Sequence, residues 1–167
     1  MTMPGRSEVL ALLRQFDDPD LLEHPAGFDY RAEQDRFRAL ASSLGRRLDC
    51  VCDVDAGMNV QDASYLGQLV VPAAATVGGT AIFVRVSNFG GLALFGAERP
   101  GIYDDEETLI LIGERDLRAV LEALAEFGYV PLLEDVLARE YDGTSDALRE
   151  AYTRYPASWF IRYFDYL

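Results

Sequence analysis

The chain contains no lysine: all fifteen of its basic residues are arginines. That absence excludes Schiff-base catalysis and the lysine of a phosphate-binding loop. Histidine is almost as scarce. His24 stands alone, so a His-rich metal site is excluded and one imidazole at most is left for acid–base work. It precedes Pro25 in "LLEHPAG" and reads as a loop residue; no G-x-S-x-G elbow supplies a nucleophile for it to activate. Cysteine occurs twice, at Cys50 and Cys52, a spacing poorly suited to a bond between them and unlike a secreted disulfide framework. No apolar run approaches the ~20 residues that span a bilayer. The opening "MTMPGRSEVL" lacks the basic-then-apolar order of a secretory signal. The expectation is a cytoplasmic protein with no membrane segment.

What is present is a globular composition with a lopsided charge. Half of the 167 residues are hydrophobic and 26% are charged, a balance that supports one buried core. No linker or repeat interrupts it, so a single domain over residues 1–167 is expected. There are 28 acidic residues and the net charge is −13. Residues 1–47 are near balance, with eight acids and seven arginines, whereas residues 101–167 hold fifteen acids and six arginines. Such a field repels nucleic acid and anionic membranes and attracts basic partners. Solubility alone is the plainer explanation of an acidic surface.

Periodicity divides the chain into helices, a meander and helices again. "SEVLALLRQF" sets Leu10, Leu13 and Phe16 on one stripe, and "DYRAEQDRFRALASSLG" places Phe37, Leu40, Ala41 and Leu44 at helical spacing before Gly45. The period then changes to two. "LDCVCDV", "SYLGQLVVP", "TAIFVRVS", "LALFG" and "TLILIG" read as five strands, the last a continuously apolar central one, with "VGG" and "FGG" as turns. "ERDLRAVLEALAEFG" is the best-defined helix, followed by shorter ones in "LLEDVLARE" and "SDALREAYTRY" and a last one capped by Ser158. The fold class is therefore α+β: a mostly antiparallel sheet of about five strands, a meander, flanked by N-terminal and C-terminal helices packed on one sheet face. Ile82, Val84 and Val86 point toward those helices. Phe83, Arg85 and Ser87 point the other way, into water or under a further helix.

The last nine residues include six drawn from Trp, Phe, Tyr and Leu. Trp159, Tyr163 and Tyr166 share one stripe and Phe160, Phe164 and Leu167 the next, leaving Arg162 and Asp165 as the polar positions. So wide a stripe predicts a helix that closes the core, with Trp159 and Phe160 as anchors.

Candidate chemistry is sparse. In "CVCDVD" two thiols lack the further Cys or His ligands that a zinc site needs, and Asp53-x-Asp55 alone is a weak metal pattern. The glycine pairs precede strands rather than helices, so neither forms a phosphate cradle. No metal and no cofactor is expected. The densest charged feature is "DDEE", Asp104, Asp105, Glu106 and Glu107, assigned to a loop. Glu134, Asp135, Glu140 and Asp142 are expected in the same half, completing an anionic docking surface. The leading expectation is a non-catalytic cytoplasmic binding protein whose partner is a basic protein. Its sharpest form is an immunity-type inhibitor that neutralises a co-encoded toxin such as a nuclease. One alternative is a carboxylate-dependent, hydrolase-like enzyme acting on a cationic or sugar-like substrate. The other is a structural subunit that oligomerises through an aromatic face.

Overall fold

A computed structural model describes residues 2–57, 60 and 62–167. Helices α1 (Arg6–Gln15) and α2 (Tyr30–Leu48) precede strands β1 (Asp53–Ala56), β2 (Tyr65–Val71), β3 (Ile82–Ser87) and β4 (Leu92–Ala97). Helices α3 (Asp105–Ile112) and α4 (Glu114–Glu126) follow, then β5 (Val130–Leu132), α5 (Asp146–Ala151) and α6 (Trp159–Phe164). The sheet order is β1-β2-β3-β4-β5. The first four strands form an antiparallel meander, and β5 joins β4 in parallel. A parallel return needs a crossover, which α3 and α4 provide. The α+β class, with a mostly antiparallel five-stranded sheet between N-terminal and C-terminal helices, stands as read.

The period-two pattern of β3 drives two cores rather than one. Ile82, Val84 and Val86 join Phe37, Leu40, Leu44, Val120 and Leu124 beneath α2 and α4. On the reverse face Phe83, Leu92 and Leu94 join Leu10, Leu13, Trp159 and Tyr163 beneath α1 and α6. Helices therefore cover both sheet faces, and the expectation of one covered face is corrected. Arg85 stays on that reverse face by donating from Nε to Gln68 Oε1 at 3.0 Å and from Nη1 to the Phe164 carbonyl at 2.7 Å. It thereby ties α6 to the sheet. The link from β3 to β4, residues 88–91, holds a turn closed by the Leu92 amide donating to the Phe89 carbonyl at 3.1 Å, in which Gly90 (φ 58°) and Gly91 (φ 65°) take left-handed conformations.

Three sequence assignments change. "TLILIG" is not a strand but the body of α3. Asp104 caps it, and a reciprocal pair of hydrogen bonds links the Asp104 side chain to the Glu107 amide and the Glu107 side chain to the Asp104 amide. Capping fixes the helical turn before the apolar run begins, and that overrides the strand preference of Ile and Leu. The fifth strand is instead the short edge segment Val130–Leu132, where Pro131 sits without disrupting a central ladder. "LDCVCDV" also divides: α2 runs on to Leu48, Asp49 turns the chain at φ 52°, and β1 begins only at Asp53. "LLEDVLARE" makes turns rather than a helix.

The C-terminal segment closes the second core. Trp159, Tyr163 and Phe164 are fully buried, Phe160 is partly buried, and Tyr166 and Leu167 remain exposed. The correction concerns Arg162, which is not at the surface but has no exposed area. Its Nε donates to Asp17 Oδ1 at 2.8 Å, and its two terminal nitrogens reach the carbonyls of Asp18, Leu21 and Leu22 at 3.1–3.2 Å. Phe89 and Tyr163 place their rings 4.6 and 4.7 Å from the guanidinium. Asp17 in turn accepts from Tyr141 Oη at 2.6 Å and the Thr144 amide at 2.8 Å.

This network sets two expectations for stability. Arg162→Leu strands the Asp17 carboxylate in the core and is expected to cost about 3–5 kcal/mol in urea unfolding. The Tyr129 hydroxyl is buried with no hydrogen-bond partner among the described residues. Tyr129→Phe removes an unsatisfied group and is therefore expected to leave stability unchanged or raise it. A large loss on Tyr129→Phe, or none on Arg162→Leu, contradicts this account of the core.

Candidate functional site

The eight carboxylates singled out in the sequence divide into a group of six and two that lie apart. Asp104, Asp105, Glu106 and Glu107 are not in a loop but form the cap and first turn of α3, where the helix dipole favours negative charge. Asp104 Oδ1 accepts from the Glu107 amide at 2.8 Å and Glu107 Oε2 from the Asp104 amide at 3.2 Å. Asp105 turns inward and accepts from the Asp135 amide at 2.9 Å. Glu134, just after β5, accepts from the Gly101 amide at 3.0 Å. These backbone contacts draw Glu134 and Asp135 against the start of α3.

The other two have contacts of their own. Asp142 pairs with Arg14 at 2.6 Å, and that hydrogen bond and charge hold its carboxyl below the usual range. Glu140 is exposed on a segment whose backbone bridges to Ser158. Among the described residues neither makes a hydrogen bond to the six: after Val136 the backbone pairs toward α6, and Asp142 meets Arg14 at the C-terminal end of α1.

Among the described residues nine carboxylates lie within 4.0 Å of an arginine nitrogen, and Asp142 is the one of the eight candidates among them. The gathered six make no ion pair among the described residues. Burial pushes the Asp105 carboxyl up, with a further push from Asp135 against its backbone hydrogen bonds and the pull of Arg6. Burial also pushes Glu134 up, and Asp105 and Asp135 add to it against the Gly101 amide and Arg85. These two groups resist the charge that the sequence gives them.

Apolar surface adjoins the acids. Ile110 is 74% exposed, Val77 64% and Ile102 43%. No signal in the apolar run "TLILI" separates the exposed Ile110 from the buried Ile112 until the run is known to be helical. Then Thr108 and Ile112, four apart, face the core, and Ile110 faces out.

Elsewhere an open cleft of about 490 Å³ is lined by Glu23, His24, Phe28, Tyr30, Asp62 and Tyr65 among others. His24 stacks on Phe28 at 5.5 Å as an exposed loop residue. The cleft gathers two carboxylates, but the two whose ionisation is opposed, Asp105 and Glu134, lie outside it. Cys50 and Cys52 line a second, larger open cleft of about 840 Å³ beside α2. Burial, reinforced by Cys50, pushes the Cys52 thiol up to about 12, so it stays protonated and weakly nucleophilic. Among the described residues no three or more His, Cys, Asp or Glu side chains are grouped to hold a metal ion. Nor is any helix there long and apolar enough to cross a membrane.

No protein-family model, curated protein or solved structure matches the chain. The site must be read from its own residues.

The raised carboxyls give a pH test. An acid whose folded pKa lies above its unfolded value binds more protons folded than unfolded, so its contribution to stability falls as pH rises from the unfolded to the folded value. At neutral pH, Asp105→Asn and Glu134→Gln are therefore expected to raise the thermal midpoint, each amide keeping an acceptor for the same backbone donor. The gain should shrink as pH falls through the raised folded values of the two groups and they take up protons. A gain that is constant with pH, or a loss at neutral pH, overturns the assignment of strain to these two groups.

Proposed function

We propose that this protein is a non-catalytic cytoplasmic binding protein whose partner is a basic protein, engaged through the acidic end of α3. The sharpest form of the reading is an immunity-type inhibitor that covers the cationic cleft of a co-encoded toxin such as a nuclease. One observation carries it: six carboxylates, Asp104 to Glu107 with Glu134 and Asp135, are gathered at one helix terminus by capping and backbone hydrogen bonds, with no ion-paired arginine among the described residues. Like charges brought together cost stability unless solvent or a partner offsets them. A cationic partner supplies the missing counter-charge and speeds encounter through long-range attraction.

The enzyme reading asks for opposed ionisation and a substrate-sized cleft in one place, and Asp105 and Glu134 stand apart from the cleft at Glu23 and Asp62. The oligomer reading asks for a free aromatic face. Phe83, Trp159, Tyr163 and Phe164 are buried within the chain, and α6 covers the reverse sheet face.

The test is titration of the purified chain with two cations. One is a basic domain encoded by the neighbouring reading frame, and the other is a short oligoarginine peptide as a generic control. Binding is expected at low ionic strength and should weaken steeply with added salt. The triple variant Asp104→Asn, Glu106→Gln, Glu107→Gln is expected to bind at least about tenfold more weakly and with a shallower salt dependence. Asparagine still caps a helix and glutamine still completes the reciprocal cap, so the fold is retained. If neither cation binds at low salt, or the triple variant binds as the wild type does, the reading fails.

A further inference from the structure

The outer face of α3 joins charge to apolar surface in a fixed arrangement. Glu106 and Glu107 precede Ile110 by four and three residues and so share its face of the helix. All three are exposed, and Ile110 is the most exposed of them among the apolar residues of α3. Ile102 stands two residues before the Asp104 cap. Val77 stands beside the other end: the backbone of Gly78 packs against the Leu111 carbonyl so closely that a Cβ there would overlap it. The turn carrying Val77 is itself held, since its amide donates to the buried Asp116 Oδ2 at 2.7 Å and Arg115 donates to the Ala75 carbonyl at 3.1 Å.

A single exposed isoleucine is ordinary on a protein surface. Three exposed apolar side chains, Ile110 on α3 with Ile102 before its cap and Val77 beside its other end, together with the carboxylates of Asp104, Glu106 and Glu107, set the chemistry of what can cover them. A second copy of the chain is disfavoured, because a two-fold contact through this face opposes Glu106 and Glu107 to themselves. The complementary occupant carries positive charge around an apolar ridge.

We infer that the outer face of α3 docks an amphipathic basic segment of a partner protein, with an apolar side chain seated on Ile110 between Ile102 and Val77, and arginine or lysine set against Asp104, Glu106 and Glu107. This rests on the cationic-partner reading and adds an apolar requirement to it. Aliphatic contact at the centre supplies holding strength and the acids supply encounter rate and register.

Two synthetic helical peptides of equal charge test it by fluorescence anisotropy against the full chain. One carries arginines flanking a leucine stripe, and in the other the leucines are replaced by glutamine. The wild type is expected to bind the leucine peptide roughly tenfold more tightly. Ile110→Ser should abolish that preference while leaving the salt dependence intact, and so should Ile110→Ala, which retains a strong helix former. Glu106→Gln with Glu107→Gln should weaken both peptides and flatten the salt dependence. Equal affinity for the two peptides, or a preference that survives both Ile110 variants, overturns the docking inference and leaves the cationic-partner reading standing. No binding of either peptide at low salt overturns both. A concentration-dependent dimer in sizing experiments that Ile110→Ser dissolves assigns the face to a second copy and likewise overturns the inference.

Discussion

The pairing of Arg162 with Asp17 is the constraint on which the second core depends. A guanidinium with no exposed area cannot be left uncompensated, and four of its five donor positions are met by one loop, residues 17–22, and by the Asp17 carboxylate. That loop connects α1 to α2, and Asp17 also receives Tyr141 and Thr144 from the segment ahead of α5. Three stretches distant in sequence are thus fastened at one point. Burial alone would raise the Asp17 carboxyl. The hydrogen bonds from Tyr141, Thr144 and Arg162, with the charge of Arg162, bring it below its usual value instead. Its stabilisation is complete above the unfolded carboxylate pKa and is lost as pH falls through the lower folded value, so this network is a point of weakness in acid.

The two ends of the molecule treat charge in opposite ways. Around Arg162 every ionised group is matched and enclosed. At the start of α3 the carboxylates have no arginine in contact, and backbone amides, the helix dipole and the more distant charges of Arg6 and Arg85 favour them. Capping explains why the cluster exists without unravelling the fold: Asp104 and Glu107 are spent on the helix terminus, which offsets part of the repulsion they create. Asp105 and Glu134 gain less and lie partly buried among like charges. Local strain of this kind, away from the core, is where proteins place binding surfaces at some expense in stability.

Much of the fold is legible because its elements announce their own period. The stripe in "ERDLRAVLEALAEFG" and the alternation of Ile82, Val84 and Val86 each bury one side, and both appear where the pattern puts them. The failures have a common physical cause. In "TLILI" the side chains are apolar at every position, so the run has no period, and the residues that decide its conformation, Asp104 and Glu107, lie before it. Arg162 lies on an aromatic stripe as its one cation, and its partner Asp17 is 145 positions away. No local pattern reports that. The acidic site is half legible for the same reason. "DDEE" is a local feature, but the backbone contacts that bring in Glu134 and Asp135, and the pairing of Asp142 with Arg14, join residues about 30 and 128 positions apart.

What makes the α3 face suited to binding is that it is already built. Thr108 and Ile112 anchor the helix inward, the Leu111 carbonyl rests on Gly78, and Asp116 fixes the turn that presents Val77. Side chains held by such contacts lose little freedom when a partner covers them, so more of the contact energy is retained as affinity. A loop carrying the same four acids would surrender that advantage, since ordering it would consume much of the attraction. The helical conformation of residues 105–112 therefore matters to the site as well as to the fold. It converts a run of acids followed by a run of apolar residues into one surface on which the two chemistries stand side by side.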